Sequence, residues 1–120
     1  MITQCLHTAL LISDLEVAEK FYSKVLGLKK VDRALKYPGV WYQIGAHQIH
    51  LIVRENFKQE LPNREKWGRN SHIAFAVNDL NEAKTRLETY GYPMQMSSSG
   101  RAALFTQDPD GNVIEIAQIN

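Results

Sequence analysis

Asp108-Pro109-Asp110-Gly111-Asn112-Val113-Ile114-Glu115-Ile116 decides how this chain is read. Pro109 presets φ and Asp110-Gly111 supplies turn chemistry, so a tight turn feeds directly into a strand. Glu115 then stands between Ile114 and Ile116. A carboxylate among apolar strand residues is costly unless something pairs with it. Candidates for that pairing lie at regular distances upstream. His50 precedes Glu115 by 65 residues, and His7 precedes His72 by the same 65. Within each half the spacing is also shared, 43 residues from His7 to His50 and 43 from His72 to Glu115. The flanking text echoes: His7 to Leu15 aligns with His72 to Leu80, matching Asp14-Leu15 to Asp79-Leu80, and Ala18 matches Ala83 at the same offset. Four potential metal ligands therefore occupy two equivalent positions in an internal duplication, each half one supersecondary unit.

Working outward, residues 4–12 read as a strand buried on both faces. Ser13 and Asp14 are N-cap candidates, with Glu16 placed for a capping box on Ser13. The following helix runs to about Leu26 with an apolar stripe of Leu15, Ala18, Phe21, Tyr22 and Val25, and stops at Gly27. Strands follow over 28–31, 40–44 and 48–53, the last two joined at Gly45-Ala46. That is one βαβββ unit, residues 1–53. Residues 54–70 are polar and form a connector, with Phe57, Leu61 and Trp67 as anchors. Residues 71–120 repeat the unit: a strand over 71–77, a helix from the Asp79 cap to Gly91, and three more strands. The Ser97-Ser98-Ser99-Gly100 segment is a mobile tip between two of them. The expected class is α+β, with two tandem βαβββ units forming a curved eight-stranded sheet in a single 1–120 domain.

Composition narrows the function. A chain of 120 residues with 44% hydrophobic content builds one compact domain, or two small units sharing a core. The formal charge is +1, from 14 basic and 13 acidic residues, with no block or patch that suggests nucleic acid or an anionic membrane. The single cysteine, Cys5, excludes an intrachain disulfide and reads as a buried, inert thiol. With no signal-peptide layout and no apolar run of bilayer length, the expectation is a soluble cytoplasmic protein.

Strand parity places the candidate site. Opposite the four ligands lie Leu6, Leu10, Ile12, Ile49, Leu51, Val53, Ile73, Phe75, Val77, Ile114 and Ile116, a face built to pack under helices. On the ligand face Ala9, Ala74, Ala76 and Ala117 leave room beside Cys5, Leu11, Gln48, Ile52 and Val113, as a cavity wall requires. Three imidazoles and one carboxylate, His7, His50, His72 and Glu115, suit one divalent ion (Zn, Ni, Co, Mn or Fe(II)). Trp41 and Gln48 are substrate-binding candidates on strands flanking the cavity. Arg101 is a further candidate, placed to hold a substrate anion, against the plainer reading of a solvated arginine. His47, at a hairpin, reads as exposed.

Several segments carry a resemblance: Leu6-His7-Thr8, Asp14-Leu15, Phe21 to Leu28, His72-Ile73-Ala74-Phe75 and Asp108 to Glu115. Over nearly its whole length the chain resembles the vicinal oxygen chelate superfamily, which includes glyoxalase I, bleomycin- and fosfomycin-resistance proteins and extradiol dioxygenases. The resemblance implies a half-barrel around a metal, with His7, His72 and Glu115 at the family's metal positions and His50 at the one that varies. It also implies a lyase or isomerase that binds a small oxygen-chelating metabolite and stabilises an oxyanion, with Glu115 as base. The text is most similar to bacterial-type glyoxalase I, with three departures: His50 replaces a Glu, Leu11 a glutathione-contacting Arg, and Arg54 an Asn. Two alternatives stay open, an Fe(II) extradiol-type dioxygenase on His7, His72 and Glu115, and a metal-free drug-binding resistance protein. The expected partners are a small-molecule substrate and a second copy of the chain. A 17-residue connector reaches about 55 Å when extended, so the ligands can come from one chain or be shared across a swapped homodimer.

Overall fold

The computed structural model describes residues 1–119. Eight strands fall into two four-stranded sheets, ordered β1-β4-β3-β2 and β5-β8-β7-β6. The chain divides into two compact units, Met1–Lys58 and Gln59–Asn120.

Unit one runs β1 (His7–Ile12), α1 (Leu15–Glu19), β2 (Lys29–Lys30), β3 (Gly39–Ile44) and β4 (His47–Val53). Asp14, not Ser13, caps α1: its side chain accepts the Val17 N–H at 3.1 Å. The helix expected to continue regularly to Leu26 changes pitch and runs as a π-helix over Lys20–Val25. Leu26 N–H donates to the Phe21 carbonyl five residues back. No glycine or proline marks the change, so hydrophobic spacing alone did not reveal it. Phe21, Tyr22 and Val25 are buried there with Ile12, Val40, Tyr42, Ile49 and Leu51. The β1–β4 pairing is parallel, with His50 opposite Ala9, and Trp41 of β3 is the antiparallel partner of His50.

Three expectations for this unit do not hold. The first strand is not buried on both faces: His7 and Ala9 are exposed, and only Ile12 is buried. Exposure alternates over the first residues of the strand, so the His7–Ala9 face is open while the opposite face is partly covered. Leu6 lies before β1 and is 65% exposed rather than packed under a helix, and Cys5 beside it is exposed rather than buried.

Unit two runs β5 (His72–Val77), α2 (Leu80–Tyr90), β6 (Met94–Met96), β7 (Ala103–Gln107) and β8 (Val113–Gln118). Asp79 caps α2 by accepting the Asn81 and Glu82 N–H groups, and Gly91 ends it at φ 79°. Leu80, Leu87, Leu104, Ile114 and Ile116 form the core. Strand β5 is again an edge strand, paired in parallel with β8, and its His72 face is exposed. The Asp108–Asn112 turn is built around a buried carboxylate. Asp108 Oδ1 accepts the N–H groups of Asp110 and Asn112 at 2.9 Å each, and Oδ2 accepts Asn112 Nδ2 at 2.8 Å. Gly111 sits at φ 90° with the Gln59 carbonyl 3.0 Å from where a Cβ would be, so a side chain there would be strained and crowded.

The stretch 59–70 is not a bare connector. It holds a 3₁₀ turn over Trp67–Arg69, latched by two asparagines. Asn70 Oδ1 accepts the Asn63 N–H at 2.9 Å, and Asn70 Nδ2 donates to the Asn63 carbonyl at 2.7 Å. Among the described residues, no helix is long and apolar enough to cross a membrane.

Candidate metal centre and its neighbouring cavity

In unit two the β5–β8 pairing brings His72 and Glu115 together. His72 Nε2 lies 3.2 Å from Glu115 Oε1. His72 Nδ1 lies 2.7 Å from the Asn70 carbonyl, which only accepts, so Nδ1 carries the hydrogen. In the neutral ring Nε2 then holds a lone pair, aimed at another lone-pair atom. Such a contact calls for a cation between the two atoms or a shared proton. Two ligands about 2.1 Å from one ion and roughly at right angles stand about 3 Å apart, so the pair fits a divalent metal. The Asn70 carbonyl fixes the tautomer of His72, as an outer partner does for an imidazole that ligates a metal.

Arg101 completes this side. Its Nη1 donates to Glu115 Oε2 at 3.3 Å and its Nε to Ser99 Oγ at 3.2 Å. It is therefore not merely solvated, although more than half of its side chain is open to solvent. Phe105, the β7 partner of Glu115, sets its ring against His72 edge to face, with centroids 5.4 Å apart. Gly68 lies so close against the Phe105 ring that a Cβ there would clash with it.

In unit one His7 and His50 stack with centroids 4.1 Å apart. Trp41 stacks on His50 at 3.7 Å and 4°, and the Arg33 guanidinium lies 4.1 Å over the Trp41 ring. Trp41 Nε1 donates to the Tyr37 hydroxyl at 3.2 Å. A chain of amides orients His50. Gln43 Nε2 donates to the Gly45 carbonyl at 2.7 Å, leaving Gln43 Oε1 to accept Gln48 Nε2 at 2.6 Å. Gln48 Oε1 therefore faces His50 Nε2, 2.8 Å away, and that nitrogen carries the hydrogen. Gln48 thus holds His50. Burial, then the charges of His7, Arg33 and His47, keep His50 below the usual imidazole range. His47 is half-buried, not exposed as expected, because its Nε2 meets Thr8 Oγ1 at 3.0 Å.

The four sequence-selected ligands thus appear as two pairs, one per unit. Among the described residues, no three His, Cys, Asp or Glu side chains gather into a ready-made metal site. Sequence reasoning missed the polar frame: Asn70 behind His72, and Gln43 behind Gln48. Only the presence of Gln43 and Gln48 on either side of the β3–β4 turn hinted at the second.

A sequence profile of the Glyoxalase/Bleomycin resistance protein/Dioxygenase superfamily matches residues 4–116. The chain belongs to that superfamily. It is 26% identical to lactoylglutathione lyase of Escherichia coli O157:H7 over 122 residues, which span 94% of this chain and 90% of the relative. The structure of lactoylglutathione lyase from Agrobacterium tumefaciens superposes with a TM-score of 0.69 at 26% identity, covering 98% of this chain and 94% of that one. A glyoxalase/dioxygenase from Nostoc punctiforme reaches 0.78 at 21% identity, covering 98% and 91%, which speaks for the shared fold alone. The family assignment and the two βαβββ units agree with the resemblance drawn from the sequence.

Proposed function

We propose that this superfamily member is a divalent-metal-dependent enzyme, of lyase or isomerase type, acting on a small oxygen-chelating metabolite. The proposed ligands are His72 and Glu115 with His7 and His50, taken from one chain or from two copies. The observation that carries this reading is the 3.2 Å approach of His72 Nε2 to Glu115 Oε1, with His72 Nδ1 held by the Asn70 carbonyl. When bound, the metal supplies Lewis-acid stabilisation of a developing oxyanion. The chain's own groups prepare the rest. Asn70 holds the His72 tautomer, and the Glu115 carboxylate is the base that takes the substrate proton. The buried ring of Phe105 walls one side of the pair against water. Exchanging Glu115 for Gln keeps an oxygen donor but removes the base, so turnover should fall about 10²-fold or more. Unchanged turnover in Glu115→Gln would exclude the assigned role.

Glutathione hemithioacetals are expected to be poor substrates despite the lactoylglutathione lyase relatives, because Leu11 and Arg54 stand where that enzyme has Arg and Asn. With methylglyoxal and glutathione under several metals, kcat/KM should stay below about 10⁴ M⁻¹s⁻¹. A higher value would contradict the expectation. A second reading has its own support. Since Gln48 occupies the Nε2 of His50, the remaining set His7, His72 and Glu115 is a two-histidine, one-carboxylate triad suited to Fe(II) and dioxygen. Anaerobic Fe(II) loading followed by oxygen uptake with candidate catechols separates the two readings. A protein that takes up no metal at all would instead be a metal-free binding protein.

A further inference from the structure

Beside His72 and Glu115, unit two holds a partly open cavity of about 470 Å³. That volume suits a small ligand. The Trp67–Arg69 turn forms one wall and the Ser97–Ser99 loop the other, with the Phe105 ring between them. Three cationic side chains, Lys66, Arg69 and Arg101, line it against one carboxylate, Glu65. Among the described residues, neither the Lys66 nor the Arg69 side chain has a hydrogen-bond or ion-pair partner. The walls are held independently of any ligand. Gln95 Oε1 accepts the Trp67 N–H at 2.9 Å, and Gln95 Nε2 donates to the Glu65 carbonyl at 2.7 Å. Ser97 and Ser99 share a hydroxyl hydrogen bond of 2.9 Å, and Ser99 receives Arg101 Nε.

Arg101 belongs to the cavity and to the carboxylate at once. Its guanidinium spans from Ser99 to Glu115 Oε2, and the Glu115 side chain is only 11% exposed. While Arg101 holds Oε2, it competes with any cation that would take Glu115. An anion in the cavity would offer the guanidinium a better-exposed partner, with Lys66 and Arg69 sharing the charge.

We infer that this cavity is a subsite for an oxyanion carried by the substrate, and that Arg101 switches between that anion and Glu115. An anion drawn to Arg101 frees Glu115 for the metal and for its role as base. Metal and anionic substrate then bind with positive coupling, each tightening the other by the same factor. The inference rests on the proposed metal-site reading for its second half only, because anion capture needs no metal.

The test has two stages. In the first, metal-free protein is titrated with sulfate, and separately with acetate, at constant ionic strength. The Arg101 Nε–H and the Lys66 and Arg69 amides are followed by NMR. Saturable shifts are expected for at least one anion, the tighter one naming the tetrahedral or planar group, and the double substitution Lys66→Ala/Arg69→Ala should weaken binding about tenfold or more. No saturable shift with either anion overturns the subsite. In the second stage Co(II) affinity is measured with and without the anion that binds. Wild type should bind Co(II) about fivefold or more tighter with the anion present. Arg101→Met should bind Co(II) more tightly without anion and lose the coupling. Equal coupling in wild type and Arg101→Met overturns the switch. Failure of every form to bind Co(II) would defeat the metal reading and the switch, and leave the subsite standing on the first stage. Far-ultraviolet circular dichroism of each variant verifies folding.

Discussion

At the scale of single residues, the side chains that look polar and incidental in the sequence are the ones that hold the site. Asp108 is the hub of the Asp-Pro-Asp-Gly turn, with both carboxylate oxygens committed while buried. Exchanging it for Ala leaves buried donors unpaired, and should lower unfolding free energy by about 3 kcal/mol in a urea titration. A loss under about 0.5 kcal/mol would mean the turn stands without it. His50 carries a pH signature. Its folded form resists protonation while the unfolded chain accepts a proton near pH 6.5. Below that pH the unfolded state binds more protons, so His50 subtracts stability as pH falls and ceases to do so above it. In metal-free protein the stability of wild type relative to His50→Gln should therefore decline from pH 8 to pH 5.5. A pH-independent difference would contradict the assigned environment. Glu115 and His72 were legible as a pair from their spacing and apolar neighbours. The tautomers of His72 and His50 were not, since each depends on a carbonyl or amide brought close only by local folding.

At the scale of elements, most of the architecture was written in punctuation. Asp79 and Gly91 bracket α2, Gly45-Ala46 marks the β3–β4 turn, and Asp110-Gly111 opens β8. Each carries a local backbone demand that a sequence reader can recognise. Asp79→Ala should cost about 1 kcal/mol, read as a lowered urea midpoint with unchanged slope; no shift would show that the cap contributes nothing. Three features were not legible. The π-helical half of the first helix has no sequence mark. The edge positions of β1 and β5 follow from strand order, which local periodicity does not encode. The stretch 54–70 read as an anchored connector, but the 3₁₀ turn within it was not foreseen, because its order comes from asparagine side chains bonding backbone. Gly68 is the most demanding residue there, and Gly68→Ala should destabilise unit two by about 2 kcal/mol by pressing on Phe105. Thermal melts of the two proteins check this, and equal melting temperatures would contradict the close approach.

At the scale of the whole molecule, the duplication supplies a histidine pair in one unit and a histidine–carboxylate pair in the other, which the proposed function reads as two halves of one ligand set. Strands β1 and β5 each leave one side unpaired within their own sheet. Proteins pair, cover or otherwise protect such edges, and the twofold homodimer is the commonest oligomeric form. We expect a dimer by light scattering, and a monomer at working concentration would end that proposal. Mixing His7→Ala with Glu115→Ala chains under subunit exchange tells shared sites from sites within one chain, since only shared sites regenerate an intact ligand set in the heterodimer. All of this depends on His7, His50, His72 and Glu115 acting as one ligand set, and elemental analysis after exhaustive dialysis tests that most directly. Wild type should retain one divalent ion per complete site, His7→Ala and His72→Ala should retain none, and His50→Ala should bind more weakly without losing the ion. Full metal retention in both His7→Ala and His72→Ala would contradict the account.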